Sequence, residues 1–178
     1  MDTQTKKYYV VKFAGVFGFI KPFSAVRDKR IYSQHYLTPS MLNGIEQKLF
    51  PEKLNQEDVT SIVAHKLQSS GITIQQETIH AKQIKKQSSF SVVERGVLLY
   101  PVLLIAFADR FYADRARKQC ISLSRSEDIL LPEDLFETSP EEFDLIPGIE
   151  FQESKDGFLV GFNRYKNFQE MKIVLNIR

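Results

Sequence analysis

The chain has 178 residues, of which 43% are hydrophobic and 12% aromatic, so it is long enough for one domain with a substantial core. Its single cysteine, Cys120, excludes an intramolecular disulfide and a cysteine-rich zinc site, and fits a reducing, cytosolic setting. The net charge of +2 hides an asymmetry, because residues 132–157 carry nine acids and one base whereas the remainder carries 23 bases against 13 acids. Such a basic remainder could face a polyanion; alternatively, the acidic and basic faces are solvated or pair with each other.

Residues Tyr8–Phe13 are apolar apart from Lys12 and predict the first strand. The connection from Gly15 to Leu37 begins with the glycine- and aromatic-rich stretch GVFGFIKPF, in which the phenylalanines could fill a core and the glycines and lysine could approach a ligand. It carries four bases against one acid, interleaved with aromatic residues. The candidate nucleic-acid contacts in it are Lys21, Arg27, Arg30 and Tyr32.

A helix is predicted next. Thr38 is a good N-cap and Pro39 suits the first helical position, where its missing N–H costs nothing. Leu42, Ile45 and Leu49 recur at helical spacing and indicate one buried stripe. Pro51 should end the helix.

Val59–Leu67 predicts a second strand, and Ile72, Ile74 and Thr78 indicate that extended structure resumes. Residues 75–96 lose apolar density and predict a protruding arm or hairpin with a polar tip. Val97–Phe107 is so uniformly apolar that it predicts one central strand buried on both faces, with a bulge or irregularity at Pro101. At 12 residues, the longest apolar run, Val97–Ala108, is too short to span a bilayer.

Asp109 can cap a second helix over Arg110–Gln119, and Ile121–Leu131 predicts a strand or turn. The acidic, proline-punctuated segment 132–157 is predicted to be loop-rich. Strands at Phe158–Phe162 and Lys172–Ile177 would then form a C-terminal hairpin preceded by a KDG turn at 155–157. The order strand, helix, strand, strand, helix, strands predicts an α+β, ferredoxin-like (RRM-like) domain with C-terminal β-strands.

Local catalytic motifs are missing from the sequence: it contains no HExxH, GxGxxG, GxxxxGK[ST] or CxxC. The three histidines are not at metal-ligand spacing, so neither a metal nor another cofactor is implied. His65 lies in a strand pattern and is interpreted as structural. His35 and Tyr36 in the basic connection leave one alternative open, metal-free RNA cleavage by a base and a neighbouring cation.

The arm offers the stronger binding signal. Lys82, Lys85 and Lys86 on a polar projection would contact phosphates without reading base identity, with Arg95 at the arm's base. Ile84 and Phe90 on the same arm could stack on unpaired bases. The alternative is a mobile surface loop.

Three segments together resemble the CRISPR-associated Cas-five family of the RAMP superfamily. VVKFAGVFGFIKPF is similar to the family's opening strand and aromatic–basic–proline bend. YLTPSMLNGIEQKLFPE is similar to its entry into the first helix. ISLSRSEDILLP resembles a segment in which an Arg and a Glu follow a short strand, although the family usually has glycine where this chain has Ser124. The resemblance covers nearly the whole chain.

The resemblance implies a single RAMP-type domain over residues 1–178, with residues 75–96 as a thumb-like hairpin. It implies a subunit that caps the 5′ handle of the crRNA in a Cascade-type surveillance complex, and the compact chain fits a type I-B-like or a transposon-associated system. Its partners would be the large subunit and the adjacent repeated backbone subunit, with target DNA nearby, in a cytoplasmic hetero-oligomer without a membrane. Arg125 could bind phosphate or pair with Glu127 or Asp128 to fix its own loop.

One branch of that family cuts precursor RNA with a Tyr, Lys and His set. Here Phe50 stands where that tyrosine is expected, and no Lys–His pair follows the central strand. The leading expectation is therefore a non-catalytic RNA-binding subunit. The alternatives are a metal-independent endoribonuclease acting on repeat RNA and a protein-interaction adaptor without RNA contact.

Overall fold

The computed structural model describes residues 6–22, 30–54, 61–80, 90–163 and 167–178. Three α-helices and a short 3-10 helix, Pro51–Lys53, are joined by eleven strands in this part of the chain. The helices are α1 (Pro39–Leu49), α2 (Arg110–Ala116) and α3 (Pro140–Leu145). The strands are β1 (Tyr8–Ala14), β2 (Phe17–Gly18), β3 (Arg30–Tyr32), β4 (Ile62–Gln68), β5 (Gly71–His80), β6 (Phe90–Leu99), β7 (Val102–Phe107), β8 (Ile121–Ser122), β9 (Ile129–Thr138), β10 (Ile149–Asn163) and β11 (Gln169–Ile177).

The larger sheet has the strand order β11-β10-β4-β7-β1-β9-β8. Its middle four strands pair antiparallel in the order β4-β7-β1-β9. Along the chain, α1 lies between β1 and β4, and α2 lies between β7 and β9. This is the split βαβ arrangement, and it confirms the predicted α+β, ferredoxin-like class.

Helices α1 and α2 cover one face of this sheet. Thr38 Oγ1 accepts a hydrogen bond from the backbone N–H of Met41 at 3.4 Å, so α1 begins as its capping residue predicts. The stripe Leu42, Ile45 and Leu49 is buried against the inward side chains of β1 and β7, as predicted. Phe50, fully buried at the end of α1, packs edge-on against Phe107.

The opposite face is covered by α3, whose Phe143 is buried beside Val10 and Leu104. Lys66 on β4 is 1% exposed, and its ammonium donates to the backbone carbonyls of Asp144 at 2.9 Å and Ile146 at 2.6 Å. Burial lowers the pKa of Lys66. The lysine therefore fixes the C-terminal end of α3 to the sheet.

The prediction of one strand over Val97–Phe107 is wrong. The chain leaves β6 at Leu99 and enters β7 at Val102, and these strands belong to different sheets. Tyr100 between them has φ of +48°, and Pro101 has no N–H for a ladder bond. The predicted irregularity at Pro101 is thus a complete break, whereas β7 itself is central and almost fully buried, as expected.

The loop-rich prediction for residues 132–157 is also wrong, because β9, α3 and most of β10 lie there. The acids of β9 reach bases on other elements, and Lys12 contacts Glu133 at 2.8 Å. The KDG sequence at 155–157 is not a turn but lies inside β10, where the pairing with β11 shifts between Glu153 and Phe158. Glycine is required there, since a Cβ on Gly157 would overlap the backbone of Ile173.

In the smaller sheet, β6 lies between the short strands β2 and β3 on one side and the long strand β5 on the other. Strand β6 pairs with β2 and β3 on one side and along its whole length with β5 on the other, from Gly71↔Leu99 to His80↔Phe90. We call β5, β6 and the segment 81–89 that joins them in the chain the arm. The segment 81–89 that joins the two strands lies outside the described residues. Among the described helices, none has the length and hydrophobicity needed to cross a membrane.

Candidate nucleic-acid interface

A mainly apolar pocket of about 210 Å³ lies between α1 and the chain that follows α2. Its lining comprises Ile20, Leu37, Met41, Gly44, Ile45, Lys48, Ser122, Leu123 and Ser124. On the helix side, the pocket includes open space beside Gly44, where an added Cβ would meet no atom within 4 Å. A largely apolar group with a polar edge would match this lining.

Two lysines lie at this pocket. Lys48 Nζ donates to Ser122 Oγ at 3.1 Å, and the backbone N–H of Lys21 donates to Ser124 Oγ at 2.8 Å. Both lysine side chains are exposed, and neither forms an ion pair with a carboxylate among the described residues. They are therefore free to meet an anionic ligand.

The predicted RNA contacts Arg30, from the connection after β1, and Arg95, at the base of the arm, are instead paired with acids. Arg30 on β3 forms an ion pair with Glu94 at 2.6 Å, and Glu94 is the chief cause of the raised pKa of Arg30. Arg95 contacts Glu77 at 3.4 Å and is 17% exposed. Tyr32 is half-exposed, and its ring lies so close over Gly96 that a Cβ there would overlap it.

Arg125 lies at the centre of a partly buried polar cluster. Its Nε and one terminal nitrogen donate to the two carboxylate oxygens of Asp128 at 2.7 and 2.6 Å. Its other terminal nitrogen donates to Glu77 at 2.6 Å. These bonds, first of all that to Asp128, raise the pKa of Arg125, so its charge is permanent. The arginine is 13% exposed and Asp128 is fully buried.

Phe19 joins the two arginines. The guanidinium carbons of Arg95 and Arg125 each lie 5.7 Å from the centre of its ring. Because Glu77 also contacts both arginines, two cations share one carboxylate and one aromatic ring. We call Phe19, Glu77, Arg95, Arg125 and Asp128 the arginine clamp.

Four of the predicted contacts, Arg27, Lys82, Lys85 and Lys86, lie outside the described residues. The two residues of the nuclease alternative are described. His35 is exposed, whereas Tyr36 packs edge-on against Phe158 at 5.8 Å and burial raises its pKa. A tyrosine with a raised pKa is harder to ionise, so this environment does not activate its hydroxyl.

His65 is buried on β4 with its ring 4.6 Å from that of Phe151. Burial lowers its pKa to about 4, and its Nε2 has no hydrogen-bond partner among the described residues. These described residues also include no group of three or more His, Cys, Asp or Glu side chains suited to hold a metal ion.

The sequence interpretation missed Lys48, Ser122 and Ser124 as parts of one pocket. One local signal was present: Gly44 interrupts a helix that otherwise has a regular apolar stripe. No local sequence pattern indicates that Arg95 and Arg125 both pair with Glu77, since these residues are far apart in the chain.

No protein-family model matches the chain, and no curated protein matches it. Eleven chains of solved structures do match. One of them is a chain of a CRISPR RNA-guided surveillance complex, which aligns over 96% of this chain and 89% of its own length, with a TM-score of 0.56 and 11% sequence identity. At this identity the match establishes a common fold, which here extends over nearly the whole of both chains.

Proposed function

We propose that this protein is a non-catalytic, RNA-binding subunit of a CRISPR Cascade surveillance complex, in which it caps the 5′ handle of the crRNA. The observation that carries the proposal is the shared fold, which extends over 96% of this chain and belongs to a chain of a CRISPR RNA-guided surveillance complex. The Cas-five resemblance of the three sequence segments supports the same assignment independently.

Charge and shape support an RNA ligand. The chain outside residues 132–157 has an excess of bases, and Lys21 and Lys48 lie beside an apolar pocket without a described acidic partner. An unstacked base could enter such a pocket while the lysines meet the adjacent phosphates. In this proposal the arm is the thumb that reaches over the RNA, and the large subunit and the adjacent backbone subunit bind beside it.

The first experiment is a gel-shift assay with labelled CRISPR repeat RNA in EDTA, using the protein alone and co-expressed with the neighbouring Cas proteins. We expect intact RNA that is shifted and co-purifies with the complex. A shortened RNA with a defined end would instead identify a metal-independent processing nuclease. Partner binding without RNA at low salt would identify an adaptor.

A second experiment tests the arm as a phosphate contact. The triple variant Lys82→Ala, Lys85→Ala, Lys86→Ala should weaken RNA binding and reduce the slope of log affinity against log salt by about 2 for three lost contacts. The matched control removes three lysines elsewhere, at Lys7, Lys155 and Lys172. An unchanged slope in the arm variant would contradict the thumb assignment.

A third experiment tests the pocket without removing charge. Gly44→Leu should fold, because no atom lies within 4 Å of the added Cβ, but it should obstruct the pocket. We expect weaker RNA binding with an unchanged salt slope. Gln47→Leu, on the same helix but outside the pocket lining, is the control. Equal RNA affinity for the two variants would exclude the pocket as part of the interface.

A further inference from the structure

We propose that Arg95 and Arg125 are positioning residues, which hold the arm at a fixed angle to the rest of the protein, and that they do not bind phosphate. The sequence predicts Arg95 as an RNA contact and leaves Arg125 open between phosphate and the acids of its own loop. The geometry of the arginine clamp points to a different use. The RNA part of this inference rests on the proposed function, whereas the part concerning the arm angle does not.

Arg125 has little hydrogen-bonding capacity left for a ligand. Its bonds to Asp128, Glu77 and Gln75 use four of its five N–H groups. The side chain is 13% exposed, and its main partner Asp128 is fully buried. A phosphate could capture this guanidinium only by leaving a buried carboxylate without its cation, which is strongly unfavourable.

The clamp joins three separate parts of the chain. Phe19 comes from the connection after β1, Glu77 and Arg95 come from the two strands of the arm, and Arg125 comes from the segment between β8 and β9. Among the described strands, β5 pairs with β6 alone, and Arg125 connects β5 to the body of the protein through bonds to the amide oxygen of Gln75 at 3.1 Å and to the carboxylate of Glu77 at 2.6 Å. Removing that carboxylate should therefore free the arm to change its angle.

The anchor on the body is itself well fixed. The backbone N–H of Ser124 donates to the carbonyl of Phe19 at 3.0 Å, and that of Leu123 donates to the carbonyl of Asp128 at 3.0 Å. This segment also supplies Ser122, Leu123 and Ser124 to the pocket. The clamp therefore sets the position of the arm relative to the pocket, and one RNA strand bound at both places would depend on that position.

The test uses Glu77→Gln, which keeps the side-chain shape and removes only the charge. Glu94→Gln is the matched control, because Glu94 is also on the arm, is equally exposed at 29%, and pairs with Arg30 outside the clamp. Cys120 is the single cysteine and is exposed, so spin labels on Cys120 and on an introduced Thr78→Cys report the distance between body and arm. We expect Glu77→Gln to shift or broaden the distance distribution and Glu94→Gln to leave it unchanged.

The affinity for RNA is a second readout, because Glu77→Gln should change it in opposite directions if the arginines position the arm and if they bind phosphate. If the arginines positioned the arm, Glu77→Gln would bind repeat RNA about fivefold more weakly than Glu94→Gln, with the same salt slope. If they bound phosphate, removing their competing carboxylate would strengthen binding. An unchanged distance distribution, or tighter RNA binding by Glu77→Gln, would overturn the inference. Loss of RNA binding by every protein including the wild type would instead refute the proposed function, and the label distances would still decide the clamp.

Discussion

Acidification should destabilise this protein through His65, which the fold keeps neutral. His65 is 3% exposed, its Nε2 has no partner among the described residues, and burial lowers its pKa from 6.5 to about 4. In the unfolded chain the same imidazole takes up a proton at its ordinary pKa of about 6.5. The unfolded state therefore binds more protons between these two values, so the free energy of unfolding falls as the pH drops below about 6.5.

The size of the effect follows from the two pKa values. One pH unit in this window costs about 1.4 kcal/mol, so lowering the pH from 7.5 to 5.0 should remove about 2 kcal/mol of stability through His65 alone. Below pH 4 the folded state also binds the proton, and the loss should level off at about 3.4 kcal/mol.

Urea unfolding at pH 7.5 and 5.0 measures this loss in the wild type and in His65→Leu. We expect the wild type to lose about 2 kcal/mol more than the variant, because leucine cannot take up a proton and all carboxylates are common to both proteins. If His65→Leu and the wild type lost the same free energy, the reasoning from burial would be refuted.

Three further substitutions test packing and capping. Gly96→Ala should displace the Tyr32 ring and lower the free energy of unfolding in urea by about 1 kcal/mol. In a protein that already carries Tyr32→Ala, adding Gly96→Ala should not cause this loss. Phe143→Ala should cost about 3–5 kcal/mol in thermal unfolding and accelerate amide exchange in α3, because Phe143 is its fully buried anchor on the sheet. Thr38→Ala should cost about 1 kcal/mol in the same unfolding assay, because the first turn of α1 loses its side-chain cap; an unchanged midpoint would contradict that role.

The elements predicted correctly are those that local chemistry specifies. Thr38 and Pro39 mark the start of α1, Asp109 marks the start of α2, and the run from Tyr8 marks β1. In each case the residues that determine the structure lie within a few positions of one another. The ferredoxin-like order could be predicted because it follows from the sequence of elements alone.

The wrong predictions concern partners that are distant in the chain. The acids and Pro132 predict a loop for residues 132–138, yet this part of β9 pairs with β1, from Phe13↔Pro132 to Tyr8↔Thr138. The apolar run from Val97 gave no sign that its two halves join different sheets, because hydrophobicity alone does not identify a strand's neighbours. The pairing of Arg125 with Asp128, three residues away, is one of the two roles that the sequence predicts for this arginine, and it is confirmed. Its pairing with Glu77 on β5 could not be predicted, because no local pattern relates the two residues.

The strand order also constrains how the chain can fold as it is synthesised. Tyr9 in β1 pairs with Phe107 in β7 and Glu137 in β9, so β1 leaves the ribosome well before both of its neighbours, which lie about 100 residues or more further along the chain. Until β7 has emerged, the buried faces of β1 and α1 have no sheet to pack against. At about 5–20 residues per second, this exposure lasts several seconds. Contacts of such long sequence separation also slow folding, so the apolar residues of the nascent N-terminal half stay exposed to aggregation until β7 and β9 can pair with β1.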